Sequence, residues 1–292
     1  MSPSANNRLH ALDWLPGLEF LDADFGGQPF GRHCHDAFAI GAIHAGVGGY
    51  QCRGSRYALP RRTLSLMNPG EVHTGYALSP RLRYRMLYAT EDSVAVLLDE
   101  RHPRGFNDIT AEDRDGETAR LLANAHAYFE APHDAGWKLG LETALTELLR
   151  HSLTHHAGLR VRAPGHESAA VRVTREWLDA LAATPDETTA VSLRELAARV
   201  QLHPNYLLQC FTRQIGIPPY AYWQYRRIER AKQLLLAGLS AADTTYRLGF
   251  HDQAHFLRSF RRITGVTPGA YRIHRGGKHL NPNISPGRWK TR

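Results

Sequence analysis

The chain has 292 residues, 36 Lys+Arg against 28 Asp+Glu, and a formal net charge of +8. That length predicts two domains with room for a sizeable core. Three cysteines, odd in number and widely spaced at Cys34, Cys52 and Cys210, exclude a disulfide framework and zinc-finger spacing, and no apolar run is long enough to cross a bilayer. The opening stretch from Met1 to Asn7 has no apolar signal-peptide core, so a cytoplasmic protein without a membrane partner is expected.

From about Leu12 to Thr90 the pattern is all-β. Strand-like segments such as Phe38 to Ile43 and Arg83 to Tyr88 are separated by breaks at Gly46-Val47-Gly48-Gly49, Leu59-Pro60 and Asn68-Pro69-Gly70. Short strands at close spacing predict a sandwich or barrel. Within it stand His33-Cys34-His35 and, later, Pro69-Gly70-Glu71-Val72-His73. Strand alternation puts His33 and His35 on one face and Cys34 on the other. Two imidazoles on an inner face, joined by His73, have the donor chemistry of a transition-metal site. With Gly27 ahead of them, the two segments resemble the paired motifs of the cupin barrel. Metal-binding cupins add a glutamate shortly after the His-x-His, and Asp36 to Ile40 offers none. The metal set is therefore incomplete, and the alternative is that these histidines contact a small effector or one another.

The same region is rich in arginine. Arg83 and Arg85 share a strand face, and guanidinium binds carboxylates bidentately. An anionic effector, an amino acid or another small anion, is the expectation they raise; a solvated outer face is the alternative. Tyr50, Tyr84 and Tyr88 are expected to line a pocket or fill the core. Further on, Leu121, Leu122, Ala125, Tyr128 and Phe129 mark one helix, ending near Pro132, and Leu141, Leu145, Leu148 and Leu149 mark another. The second stripe either packs on its own barrel or joins a second subunit.

Residues 158–167 have no periodicity and read as a linker. Beyond them the charge changes. Residues 168–292 hold 19 Lys+Arg against 8 Asp+Glu, net +11, whereas residues 1–167 are at −3. A basic half joined to a mildly acidic one suggests a nucleic-acid module fused to something else. The expected division is 1–157, 158–167, 168–275 and a basic, disordered tail at 276–292.

The basic half opens with a helix from Val171 to Ala183 and then writes one motif twice. The first copy holds Ser192, Leu193, Leu196, Ala197, Val200, His203-Pro204, Leu207, Phe211, Gly216, Pro219 and Tyr222. The second holds Ser240, Asp243, Leu248, Phe250-His251, Phe256, Phe260, Gly265, Pro268 and Tyr271. Each copy predicts helix, tight turn, helix, with capping serines at the start and glycines at the end. A helix-turn-helix places its second helix in the DNA major groove. The spacer from Pro218 to Ala237 predicts a helix of about 30 Å, near the roughly 34 Å between major-groove faces.

Residues 171–273 resemble the AraC/XylS family of transcriptional regulators. The most specific piece is Leu248-Gly249-Phe250, Asp252-Gln253, His255-Phe256, Phe260-Arg261-Arg262, Gly265-Val266-Thr267-Pro268 and Tyr271. His203 and Ala254 depart from the family pattern, standing where serine caps are usual. The resemblance implies a cupin-type sensor ahead of the reading domain, helices that dimerise it, and a regulator, mostly an activator working with RNA polymerase, on a double-stranded operator. A metal-dependent cupin enzyme and a ligand-free dimeric regulator are the alternatives.

With Leu207, Phe211 and Ile215 turned inward, the first reading helix is expected to present Asn205, Leu208, Gln209 and Thr212 to bases, with Arg213 toward phosphate. With Phe256 and Phe260 inward, the second is expected to present Gln253, Ala254, Leu257 and Arg258, with Arg262 toward phosphate. Asn and Gln suit adenine, Arg suits guanine, and apolar side chains suit the thymine methyl.

Overall fold

Strand alternation and helical stripes separate the chain into a β layer pair and a helical half in the computed structural model, which describes residues 7–25, 30–131, 133–160, 165, 168–183 and 191–276. The strands are β1 (Arg8–Ala11), β2 (Leu18–Phe25), β3 (Phe30–His33), β4 (Phe38–Ala45), β5 (Gly48–Cys52), β6 (Ser55–Leu59), β7 (Thr63–Met67), β8 (His73–Ala77), β9 (Leu82–Ala89) and β10 (Thr110–Glu112). They form one six-stranded sheet, β1-β2-β9-β4-β7-β10, and one four-stranded sheet, β3-β8-β5-β6. Every pairing is antiparallel. Arg53 and Gly54, both at positive φ, make the two-residue turn between β5 and β6.

The six-stranded sheet is covered on both faces. Phe38, Ile40 and Ala42 of β4 join Phe20, Leu64, Leu66 and Leu87 beneath three helices, whereas Ala39, Gly41 and Ile43 face the second sheet. The helices are α1 (Glu91–Leu98), α2 (Glu117–Phe129) and α3 (Trp137–His156). The α3 stripe of Leu141, Leu145, Leu148 and Leu149 is fully buried within this core. It packs on its own barrel, and the reading of that stripe as a subunit interface is corrected accordingly. Truncating such a leucine to alanine costs about 2–5 kcal/mol.

The helical half comprises α4 (Ser168–Ala183), α5 (Leu193–Arg199), α6 (Pro204–Ile215), α7 (Pro219–Leu236), α8 (Ala241–Arg247), α9 (Gln253–Thr264) and α10 (Pro268–Gly276). The duplicated motif folds as its pattern predicts. Ser192 and Glu195 form a reciprocal capping box, and Ser240 accepts from the Asp243 amide at 3.0 Å. Gly216 and Gly265 close α6 and α9 at φ 88° and 80°. Neither departure from the serine pattern costs a cap. His203 Nδ1 accepts from the Asn205 amide at 3.3 Å, and Asp252, two residues before Ala254, accepts from the His255 amide at 2.6 Å. The two copies build separate small cores around Leu193, Leu207 and Phe211 and around Leu248, Phe256 and Phe260. The spacer helix α7 has 18 residues, about 27 Å at 1.5 Å each.

The barrel half and the helical half press against each other at three places. Arg194 of α5 donates to the fully buried Glu142 of α3 through its amide (3.1 Å) and Nε (2.8 Å), and to the Trp14 carbonyl at 2.9 Å. Arg227 of α7, itself fully buried, donates Nη1 to Asp134 Oδ2 at 2.9 Å and Nε and Nη2 to the Leu248 carbonyl. Its guanidinium lies between the rings of Trp223 and Phe250, 4.2 and 3.7 Å from their centroids. Gly136, beside Asp134, leaves room for Trp223: a Cβ there would sit 1.9 Å from that ring. The third place is α1 against α6. The linker residues 161–164, 166 and 167, Pro132, Gly27 and the tail beyond 276 lie outside the described residues.

Candidate effector pocket and nucleic-acid interface

A cavity of about 330 Å³ lies between the two sheets. Alternation on β9 decides much of its wall: Leu82, Tyr84, Met86 and Tyr88 all face it. Tyr50, Tyr76, Ile43, Met67 and Ser65 line it as well. Space comes from glycine: a Cβ on Gly41 would stand 2.6 Å from Met86 Sδ, and one on Gly49 2.5 Å from the Tyr76 ring. Burial pushes the phenols of Tyr50, Tyr84 and Tyr88 above their ordinary range, so they remain neutral hydroxyls. The Tyr50 hydroxyl donates to the Ile109 carbonyl at 2.5 Å.

His33, His35 and His73 meet at one end of this cavity, as their spacing predicts. Their ring centroids are 4.3–5.4 Å apart, and one donor atom of each lies within 4.8 Å of the others. Nδ1–H of His33 donates to the Gly31 carbonyl at 2.7 Å, and Nδ1–H of His73 to the Glu71 carbonyl at 2.9 Å. Those bonds fix the tautomer and leave Nε2 as the coordinating nitrogen. Burial holds His35 and His73 below the ordinary imidazole range, in the neutral form a metal takes. The three residues therefore fit a three-histidine site with an open position. Glu71 does not complete it, since its carboxylate is taken by Arg53 and the Asn68 amide.

Arg83 and Arg85 do not reach the cavity. Odd positions of β9 face the opposite side, where Arg83 Nε lies 3.9 Å from Asp24 and Arg85 Nε 3.5 Å from Asp22, both on the adjacent β2. Sequence parity held this signal: Leu87 belongs to the outer core, so Arg83 and Arg85 share its face and the tyrosines take the other. The small-anion expectation built on these arginines loses its basis.

On the second reading helix, α9, the surface is as expected. Gln253, Ala254, Arg258 and Arg262 are exposed, and Leu257 is half-buried beside the phenylalanine core. The first reading helix differs. Asn205 and Leu208 are 4 % and 3 % exposed, Gln209 and Thr212 are half-buried, and Arg213 is exposed. The last turn of α1 lies over the first turn of α6, where Asn205 Nδ2 makes a long bond, 3.5 Å, to the Leu98 carbonyl. A polar cleft of about 220 Å³ runs alongside, lined by Asp99, Arg160, His203, Asn205 and Gln209 among others. Burial holds His203 below the ordinary imidazole range; the charge of Asp99 and the nearby Ala95 and Val96 carbonyls of α1 act the other way. Asn205 is thus covered in this arrangement, and Leu208, expected on the outer face, instead joins the core around Leu207 and Phe211. The sequence signalled the helix but not its cover, since Asp134, Glu142 and α1 carry no motif.

A barrel with a lined cavity, fused to two helix-turn-helix units on a common spacer, defines a ligand-responsive DNA-binding protein. The profile of the AraC-like ligand binding domain matches residues 15–149, and that of a helix-turn-helix domain residues 196–274. An HTH-type transcriptional regulator of Bacillus subtilis, YbfI, is 29% identical over 255 residues, 85% of this chain and 90% of that one. The arabinose operon regulatory protein of Escherichia coli is 35% identical over 81 residues, 27% of this chain and 28% of that one. Among solved structures, an AraC-type regulator of Chromobacterium violaceum is 22% identical and covers 38% of this chain and 96% of its own, with a TM-score of 0.35. The chain belongs to the AraC family of transcriptional regulators, with an effector-binding domain and a DNA-reading domain. Among the described residues no helix is long and apolar enough to cross a membrane.

Proposed function

We propose that the barrel binds a mostly apolar or aromatic small molecule with one polar head, and that this molecule controls whether the first reading helix is uncovered. The wall supports the ligand class. It is built largely from Tyr, Met, Leu and Ile side chains, with no Lys or Arg among the described residues lining it, and its polar groups are phenols, imidazoles and the hydroxyls of Ser65 and Thr74. The histidine cluster receives the polar head, directly or through a transition metal held by His33, His35 and His73. When bound, such a metal would supply a Lewis-acidic position for the head group. The barrel senses rather than catalyses, in keeping with the missing glutamate after His35.

The observation that carries the regulatory reading is the burial of Asn205 under the last turn of α1, where its Nδ2 lies 3.5 Å from the Leu98 carbonyl. A physical link joins pocket to cover. Strand β9 supplies four pocket side chains and runs through Ala89 into Thr90, the N-cap of α1, and α1 ends on α6. A ligand that displaces Tyr84 or Tyr88 moves the base of α1. It shifts the equilibrium only by its different affinity for the covered and uncovered states. Once uncovered, the two reading helices are spaced for adjacent major grooves of one duplex. The regulator acts as a homodimer and as an activator that recruits RNA polymerase.

The experiment is a melting-shift screen of the full chain against small metabolites, followed by DNA binding to an operator selected in vitro. A true effector at 100 times its Kd adds about 2.7 kcal/mol of stability and changes operator affinity. An apolar hit that stabilises the protein and leaves DNA binding unaltered would contradict the coupling. Hits confined to small anions would contradict the ligand class. Metal analysis of the purified chain and of His73→Ala decides whether the head group meets an ion.

A further inference from the structure

Away from the pocket, on the outer face of the six-stranded sheet, β1, β2 and α2 bring two imidazoles and two carboxylates together. One donor atom each of His10, His126 and Glu130 lies within 4.8 Å of the other two. His126 Nε2 stands 3.3 Å from Asp22 Oδ2 and 3.8 Å from Glu130 Oε1, and His10 Nε2 stands 3.8 Å from the same glutamate oxygen. Both Nε2 atoms are buried, and neither makes a hydrogen bond. Leaving a buried polar atom unpaired costs about 1–3 kcal/mol, and here two such atoms converge on one carboxylate oxygen, Glu130 Oε1. Tetrahedral zinc, with bonds of about 2.0–2.1 Å to nitrogen and oxygen, puts neighbouring donors roughly 3.3 Å apart. The three separations match that figure to about half an ångström.

The surroundings hold the donors in place. The His10 ring stacks on Phe129 with centroids 5.0 Å apart, and His126 packs on Phe20 at 5.7 Å. Arg85 approaches Asp22 through Oδ1, the oxygen that faces away from His126, and Arg8 donates to both oxygens of Glu130 at 2.9 and 2.7 Å. Outer partners of this kind orient coordinating carboxylates, and each carboxylate oxygen keeps a second lone pair. Burial also lowers the pKa of His126, which favours the neutral ring.

We propose that His10, His126 and Glu130, with Asp22, form a binding site for a divalent metal of zinc type, distinct from the His33/His35/His73 cluster, and that the ion ties the edge strand β1 to α2. Two imidazoles with two carboxylates suit zinc(II), and cobalt(II) substitutes for it as a coloured probe.

The test titrates cobalt(II) into the full chain carrying His33→Ala and His73→Ala, so that the pocket cluster takes no metal. One cobalt per chain, with visible d–d absorption and a raised melting temperature, is the expected result. Adding His126→Asn to that background removes the absorption. Arg8→Gln, which takes away the guanidinium that orients Glu130, weakens binding several-fold. Absence of binding in the triad-deficient chain at micromolar cobalt overturns the proposal. So does binding that survives both His126→Asn and His10→Gln, because the ion would then sit elsewhere. Circular dichroism checks folding, and should His126→Asn not fold, His10→Gln on the edge strand decides the question.

Discussion

Single residues decide what the pocket can hold. Gly49 and Gly41 keep it open, and Gly49→Val places a branched side chain against the Tyr76 ring. Overpacking of this kind costs about 1–3 kcal/mol. The expected outcome is a modestly lower melting temperature, DNA binding retained, and loss of the effector-induced melting shift. His44 carries a second residue-scale expectation. Burial is the main cause that lowers it from an ordinary 6.5 to about 4, with Arg85 adding to the effect. The unfolded chain therefore binds the proton more readily between those values, so stability contributed by neutral His44 is complete above pH 6.5 and is lost as pH falls toward 4. Melting temperature followed over that range should fall with acid, and His44→Gln should flatten the fall. At this scale the sequence was legible where parity or spacing speaks: His33, His35 and His73 converge as their positions imply. Arg83 and Arg85 were misplaced because the strand face they share was judged from arginine chemistry rather than from Leu87, two residues away.

Elements carry the recognition of DNA. The two helix-turn-helix units were legible in nearly every detail, because capping serines, inward phenylalanines and closing glycines act locally and were all in view. The caps of α6 and α9 were not, since an imidazole and a displaced aspartate do the work usually given to serine. On α9, Arg258 is exposed between Ala254 and Arg262. Arg258→Ala should cost about 1–3 kcal/mol on the preferred operator and relax the preference at one base pair. Arg262→Ala, at a phosphate, should weaken all operators alike and lower the salt dependence of binding. Binding isotherms on a panel of operator variants at two salt concentrations separate these outcomes. A uniform loss for Arg258→Ala would contradict its base-reading role.

The whole molecule is where sequence reading stopped and geometry took over. Nothing in a one-dimensional pattern places Asp134 against Arg227 or Glu142 against Arg194, because both pairs join residues 93 and 52 positions apart across two independently patterned halves. Removing one partner of a buried ion pair costs about 3–5 kcal/mol, because the other is left uncompensated. For Asp134→Ala that penalty falls on the docked arrangement, in which Arg227 has no water to turn to. The substituted chain should therefore favour the undocked state, bind its operator more tightly without effector, and respond less to effector addition. Asp134→Asn, which keeps an acceptor for Nη1, should lie between the two.

The most direct measurement is a hydroxyl-radical footprint of the full chain on an in vitro selected operator, with and without Asp134→Ala. Covering of α6 is expected to leave a single protected segment per chain in the effector-free protein, and Asp134→Ala to extend it to two segments about 34 Å apart on one face of the duplex. Two protected segments in the unsubstituted, effector-free chain, unchanged by Asp134→Ala, would contradict the account.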